Sequence, residues 1–303
     1  MSSLLGAIEA GGTKFVCVVA RDAATILAER RVATTTPAAT LGAAEDFFAT
    51  VSSEMGALSA IGIASFGPLD MRRSSPTYGH LLATPKPGWE NADLVTRFAT
   101  RFSCPVVLDT DVNAAALAEA LLGAGRGCGV LVYVTVGTGI GGGIVVSGRA
   151  VHGALHPEMG HIRVLRHERD RDLPGVCAFH GDCLEGLASG SAIRARYGAP
   201  LERLPAGHGA PEIVGYYLGQ LAATIVLMIS PERIVFGGGV MNNDRVLSEL
   251  RSTAARFLNG YLPLAPTSLD ELIVAPALGE RSGIVGAIKL AEAARTAVTE
   301  KHS

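Results

Sequence analysis

The sequence predicts an α/β fold whose core is built twice, and three observations carry that prediction. Apolar, strand-like runs alternate with amphipathic helical stretches along the chain. Two of those runs end in glycine clusters and lead at once into a second apolar run, the pattern of a hairpin with glycines at its tip. The same strand–hairpin–strand plan occurs once in each half of the 303 residues. A chain of this length holds one or two domains, because single cores stop growing near about 250–300 residues.

Taken in order, Leu4–Ile8 reads as a strand, Ala10-Gly11-Gly12-Thr13 as a turn and Phe15–Ala20 as the returning strand. Leu41, Ala44, Phe48, Val51, Met55 and Leu58 recur in steps of three and four, which marks one face of a helix. Ala60–Ser65 is a strand running into Gly67-Pro68. Met71–Trp89 carries three prolines, and Ser74-Ser75-Pro76 and Pro85-Lys86-Pro87-Gly88 break it into loop. A short strand ends at Asp109, and Val112–Leu122 follows as a well-covered helix whose only charge is Glu119. The second hairpin is Gly129–Val136, the glycine run Gly137–Gly143, and Ile144–Val146. Arg163–Pro174 and Pro200–Pro211 are loops, and Glu212–Ile229 is apolar on nearly every face, which predicts a buried helix. Arg233–Phe236 is a strand ending in Gly237-Gly238-Gly239, and Asp244–Phe257 and Gly283–Thr296 close the chain as helices. A domain boundary is expected near residues 112–125, between the two hairpins.

Composition narrows the function. There are 26 Lys+Arg against 28 Asp+Glu, a formal net charge of −2, so the strongly basic footprint of a nucleic-acid binder is missing. Five cysteines, an odd number in a long chain, argue against a secreted disulfide scaffold. No apolar run approaches the roughly 20 residues of a membrane helix, and the N-terminus lacks the basic lead of a signal peptide. The expectation is a soluble, cytoplasmic protein without nucleic-acid or membrane partners.

Glycine loops at strand ends suit phosphate binding for a physical reason. Without a Cβ, successive backbone N–H groups approach phosphate oxygens closely and form an anion nest. Gly11, Gly12, Gly137, Gly139, Gly237, Gly238 and Gly239 are the candidates, with hydroxyls from Thr13 and Thr138 and a charge from Lys14. The bland alternative for each loop is a hairpin turn. G-x-x-x-x-G-K-[ST] is absent, and the G-x-G-x-x-G at Gly137–Gly142 leads into a strand where the dinucleotide fingerprint needs a helix. At the end of the Pro105–Asp109 run, Asp111 suits a general base at the carboxyl end of a strand; equally it suits a cap on the following helix. Asp109 is expected to support a loop or a hydrated metal.

Cys177-Ala178-Phe179-His180-Gly181-Asp182-Cys183 offers three sulfur and nitrogen ligands on a tight loop, and His161 completes a tetrahedral set for Zn²⁺. His152, His156 and His167 compete for that fourth place. Four protein ligands leave no open position, which makes the metal structural. Glu158 and Glu185 stand beside these ligands as acceptors for hydroxyl groups or as solvated loop residues. Cys17, Cys104 and Cys128 lie in apolar surroundings, and Trp89 is a packing anchor.

Together these residues resemble the ROK family of sugar kinases and repressors, within the hexokinase/actin-like ATPase superfamily. Its signature is matched by Val136, Gly139-Ile140-Gly141-Gly142-Gly143-Ile144, Gly153, Pro157 and Gly160-His161. Gly11-Gly12-Thr13-Lys14 resembles the first phosphate loop, and Ile234–Val240 the adenosine motif. Ile8–Cys17, Thr84-Pro85-Lys86-Pro87-Gly88-Trp89 and His156–His161 are most similar to the bacterial fructokinase branch. The resemblance implies a two-lobed actin-like ATPase (ribonuclease H-like) fold: residues 1–115 as a small lobe joined by a C-terminal helix of about 286–303, and 116–285 as a large lobe. It implies ATP- and Mg²⁺-dependent phosphorylation of a hexose, most similar to fructose phosphorylation, with Asp111 as base, in a homodimer. Asn113, Glu158, His161 and Glu185 match sugar-binding positions. A glucose/mannose kinase and a catalytically silent sugar-binding regulator are the alternatives. Glu9 stands where many relatives carry Asp, Thr110 where many carry Asn, and His180 where many carry Cys. The repressor branch carries a DNA-binding domain ahead of the first loop, where this sequence has ten residues before Gly11.

Overall fold

The computed structural model describes residues 4–84, 86–261 and 268–301. Pro85, one of the expected loop breakers, and residues 302–303 of the expected C-terminal segment lie outside the described residues. The chain forms two compact units. One takes the described residues up to Ala118, His152–His156 and everything from Arg281; the other takes Glu119–Val151 and Pro157–Glu280.

The first unit begins with β1 (Leu4–Ala10), β2 (Lys14–Asp22) and β3 (Thr25–Ala33), continues through α1 (Pro37–Met55), β4 (Leu58–Ser65), α2 (Val95–Phe102) and β5 (Val106–Thr110), and enters α3 (Asp111–Leu122). Its sheet has the order β3-β2-β1-β4-β5. The first three strands pair antiparallel, and β4 and β5 join parallel to β1. Side chains alternate as the period of two requires. Leu4, Ile8 and Ala10 pack toward Leu41, Phe48 and Trp89, whereas Leu5 and Ala7 pack with Ile284 and Ile288 near the C-terminus.

Helix α1 starts on Thr36, whose hydroxyl accepts the Ala39 N–H, with Pro37 in the first turn. It stops at Gly56, whose φ of 110° lies outside the range other residues favour. The stop corrects the expected periodicity: Leu58 belongs to β4, and Met55 is 51% exposed. Fully burying a side chain the size of Phe48 is worth about 1.5–3 kcal/mol, so this face supplies much of the unit's cohesion.

The second unit repeats the plan with β6 (Val130–Val136), β7 (Ile140–Val146), β8 (Arg149–Ala150), α4 (Leu184–Ala188), α5 (Gly190–Tyr197), α6 (Ala210–Ile229), β9 (Arg233–Gly237), α7 (Asp244–Leu258), α8 (Leu269–Leu272) and β10 (Ile273–Val274). Its sheet order, β10-β9-β6-β7-β8, mirrors the first: β6, β7 and β8 are antiparallel, and β9 and β10 join parallel. Helix α6 is long and apolar enough to cross a membrane by length and composition, but 67% of its most apolar window is buried inside the fold. Gly215 and Gly219 let α7 approach it closely; a Cβ on Gly219 would lie 2.5 Å from Thr253 Cβ.

The expected glycine loop is shorter than its composition suggests. Gly141, Gly142 and Gly143 belong to β7 and pair with Thr135, Val134 and Tyr133. Packing gives the reason. A Cβ on Gly142 would come 2.3 Å from Met159 Sδ, and one on Gly160 would come 1.9 Å from the Ile140 carbonyl oxygen. These two glycines let the 3₁₀ turn Met159–His161 lie directly on the strand.

The last helix, α9 (Ser282–Lys301), packs on the first unit's sheet. Gly62 in β4 permits that contact, since a Cβ there would sit 1.9 Å from the Ala287 carbonyl oxygen. Glu119, the second charge in α3 after Asp111, is fully buried and accepts backbone N–H groups of Ala124 at 2.8 Å, Ala277 at 3.1 Å and Leu278 at 2.9 Å. These three backbone donors satisfy the acceptors of the buried carboxylate.

Candidate active site and metal centre

The carboxyl end of β5 gathers four polar side chains. The Thr110 hydroxyl accepts the Asn113 N–H at 3.1 Å, so Thr110 caps α3 and Asp111 is relieved of that duty. Asp111 accepts only its neighbour Val112 N–H, at 2.9 Å, among the described hydrogen bonds. Burial pushes its carboxyl up to about 6, against the opposing pull of that N–H. A carboxylate poised near 6 is a better proton acceptor than an ordinary Asp.

Asp109 has a different task. It is 4% exposed, and its carboxylate accepts the Thr110 N–H at 2.8 Å, the Asn113 amide at 2.7 Å and the His152 ring at 3.0 Å. The ligation of three donors makes it a support for the loop. Asn113 is fully buried, and its Oδ1 has no hydrogen-bond partner among the described residues.

The two glycine hairpin tips share one device. In the first, the Thr34 hydroxyl donates to the Gly11 carbonyl at 2.7 Å, and Lys86 Nζ donates to the Gly12 carbonyl at 2.6 Å. In the second, the Gly190 N–H donates to the Gly137 carbonyl at 2.7 Å and the Ser191 hydroxyl to the Thr138 carbonyl at 2.8 Å. A trans peptide points its N–H opposite to its C=O. With consecutive carbonyls held from behind, the N–H groups of Gly12 and Thr13, and of Thr138 and Gly139, turn the other way as adjacent donors. Successive backbone donors of this kind are what an anion-binding turn requires.

Space separates two kinds of glycine in these loops. Gly139 and Gly237 lie against side chains, since a Cβ would be 2.5 Å from Glu185 Oε2 and 2.5 Å from the Tyr133 hydroxyl. Gly238 is required by the fold, with φ of +90° and the Val136 backbone against it, and Gly11 faces the Lys14 carbonyl at 2.9 Å. Gly12, Gly137 and Gly239 meet nothing within 4 Å and have no positive φ. These three positions, one in each loop, have room for a side chain. Thr13 and Lys14 are exposed beside them.

His161 Nδ1, Cys177 Sγ, His180 Nδ1 and Cys183 Sγ all lie within 4.8 Å of one another. His161 and His180 nitrogens are 3.3 Å apart, and the measured nitrogen–sulfur separations are 3.5 and 3.7 Å. Zinc bonds of about 2.3 Å to sulfur and 2.0–2.1 Å to nitrogen place tetrahedral edges at about 3.3 Å between nitrogens and about 3.6 Å between nitrogen and sulfur. The donor set fits such an ion in both spacing and chemistry. Its loop is closed by a reciprocal backbone pair between Cys177 and Gly181, at 3.1 and 2.9 Å, with Gly181 at φ +60°.

The competing histidines are engaged elsewhere. His152 meets Asp109, His156 Nε2 accepts the Leu69 N–H at 3.3 Å, and His167 accepts the Arg169 N–H at 3.1 Å. Glu185, in the first turn of α4, accepts the Ile140 N–H at 3.0 Å and so stands on the second hairpin, while Glu158 is exposed. Burial pushes the Cys17 thiol up to about 12 and Cys104 to about 11, which keeps both protonated and inert. Trp89 is fully buried between Phe15 and Phe66, and its ring N–H donates to the Thr35 carbonyl at 2.8 Å. Thr34, Lys86, Gly190 and Ser191 have no local signature in these roles, because each acts across a long stretch of sequence.

The sequence pattern of the ROK family matches residues 5–294. A fructokinase from Zymomonas mobilis is 48% identical over 294 residues, which is 96% of this chain and 97% of that one. Among solved structures, the ROK hexokinase from Thermus thermophilus superposes with a TM-score of 0.76 at 28% identity, covering 98% of this chain and 99% of that one. A ROK family glucokinase from Streptomyces griseus, in complex with glucose and AMPPNP, gives a TM-score of 0.73 at 27% identity over 96% of this chain and 100% of that one.

Proposed function

The chain belongs to the ROK family and has its actin-like ATPase fold, and from that premise we propose that it transfers the γ-phosphoryl group of ATP to the 6-hydroxyl of fructose. The observation that carries the chemistry is the Asp111 carboxylate, freed of the helix cap by Thr110 and activated by burial; the glycine hairpin tips are read as the phosphate loops. Asp111, with its raised pKa, takes the proton as the sugar oxygen attacks the γ-phosphorus; the bond from that phosphorus to the β-bridging oxygen breaks, and ADP leaves. Gly12, Thr13 and Lys14, with Thr138 and Gly139, donate to the phosphates, while the Gly11 and Gly137 N–H groups close their turns on the Lys14 and Gly139 carbonyls; Gly237, Gly238 and Gly239 take the adenosine end. Mg²⁺, bound with the nucleotide, would neutralise the charge of its phosphates. Fructose is the preferred acceptor because the fructokinase likeness is much stronger, at 48%, than the 28% and 27% likenesses to a hexokinase and a glucokinase.

Zn²⁺ held by His161, Cys177, His180 and Cys183 is structural in this proposal, since four protein ligands leave no position for substrate. It fixes the loop that carries Glu158 and His161. These two, Glu185 and the unpaired Oδ1 of Asn113 are the partners for sugar hydroxyls. The protein works in the cytoplasm as a homodimer. A glucose/mannose kinase is the second reading, favoured by the names of the two structural relatives. Sugar-dependent release of ADP from ATP by the purified protein is the test. Its absence in the presence of Mg²⁺ and every hexose would leave the catalytically silent sugar-binding regulator.

A further inference from the structure

We propose that Lys86 is a positioning residue for the nucleotide: its ammonium fixes the Gly12–Thr13 peptide so that the Thr13 N–H faces the phosphates. The proposal rests on reading Gly11–Lys14 as a phosphate loop. Lys86 Nζ lies 2.6 Å from the Gly12 carbonyl oxygen and 3.3 Å from that of Thr34. Since the N–H of a trans peptide opposes its carbonyl, holding the Gly12 oxygen from behind turns the next N–H outward.

The placement of Lys86 is built from a fixed point. Three residues on, the buried Trp89 ring donates to the Thr35 carbonyl at 2.8 Å, next to the Thr34 carbonyl that Lys86 itself touches. Lysine and tryptophan thus grip consecutive carbonyls just beyond β3, and the Lys86-Pro87-Gly88-Trp89 spacing acquires a purpose. From the same corner, the Thr34 hydroxyl holds the Gly11 carbonyl, and the Thr34 N–H donates to the Thr13 carbonyl at 3.0 Å.

The duplicated hairpin shows what is special here. There the carbonyls of Gly137 and Thr138 are held by a backbone N–H and a serine hydroxyl, both neutral. The first loop alone uses a cation for this task. A charged donor bonds a carbonyl roughly twice as strongly as a neutral one, and hydrogen bonds in a chain polarise one another. The Lys86 ammonium therefore both fixes the peptide and sharpens the donor strength of the N–H on its far side. Lys14, the first residue of β2, is exposed.

The test uses the full-length protein and three variants, Lys86→Met, Lys86→Arg and Gly12→Ala. Affinity for a non-hydrolysable ATP analogue is measured by calorimetry, and KM is measured separately for ATP and fructose. Lys86→Met is expected to weaken analogue binding and raise KM for ATP by about tenfold, with KM for fructose changed by less than about twofold. Lys86→Arg, which keeps a charged donor, is expected to recover most of the loss. A purely structural lysine would shift both KM values or neither. Should Lys86→Met destabilise the fold, Lys86→Gln, which keeps a neutral donor, isolates the effect of charge. Unchanged nucleotide affinity in Lys86→Met, with weakened affinity in Gly12→Ala, would overturn the role of Lys86 and leave the loop standing. Unchanged affinity in both would remove the phosphate loop itself.

Discussion

Asp111→Asn should make the protein more stable and catalytically dead, and the size of both effects follows from one property. Burial raises the Asp111 carboxyl from an ordinary 3.8 to about 6. Below about pH 4 the group is protonated in both folded and unfolded chains and contributes nothing. Between about 4 and 6 the unfolded chain ionises while the folded one resists, so stability falls as pH rises. Above about 6 the loss is constant. A shift of about two units at 1.36 kcal/mol each sets it at about 3 kcal/mol, and partial solvent access trims it to about 1–3 kcal/mol. Asn keeps the acceptor for the Val112 N–H without the charge. At pH 7.5 the variant should melt about 2–8 °C above wild type, and at pH 4 the two should coincide. Sugar and ATP binding should persist, and kcat should fall by about 10²–10⁴-fold. Wild-type kcat/KM should drop tenfold per pH unit below about 6. Equal melting at neutral pH would refute the burial argument; turnover near wild type would remove Asp111 from the role of base.

Three further outcomes are expected. Gly12→Ala, Gly137→Ala and Gly239→Ala should each melt within a few degrees of wild type, since no atom lies within 4 Å of the new methyl, yet raise KM for ATP by about tenfold or more; titration of ATP against initial rate, beside a melting curve, decides this. Metal analysis of Cys177→Ala/Cys183→Ala should find the zinc lost, and unchanged zinc would place it elsewhere. Glu119→Ala should strand the N–H groups of Ala124, Ala277 and Leu278 and lower stability by about 3–5 kcal/mol, read by thermal denaturation; a loss below about 1 kcal/mol would mean water replaces the carboxylate.

The duplicated sheet was legible because its signals are local. Strand runs, glycine tips and the step of three and four in α1 all lie within a few residues of the structure they specify. Even there, the sequence could not tell which glycines sit in a loop. Gly141, Gly142 and Gly143 look like loop by composition but pair in β7, because a distant turn at Met159 and Gly160 demands the space. Cys177, His180 and Cys183 were readable from spacing, whereas the choice of His161 over its rivals required the contacts of Asp109 and Leu69. Thr110 taking the helix cap, and so freeing Asp111, rests on one hydroxyl that spacing leaves ambiguous. Lys86 and Ser191 act on loops about 50 residues or more away in sequence, and no local pattern predicts such pairs.

The most direct test of the central claim is kcat/KM for ATP-dependent phosphorylation across purified fructose, glucose and mannose, with wild-type protein and Mg²⁺ under one set of conditions. Fructose with the highest value, and fructose 6-phosphate as its product, is the predicted result. Glucose clearly ahead of fructose would contradict the assignment of the acceptor, and no turnover with any of the three would contradict the kinase itself.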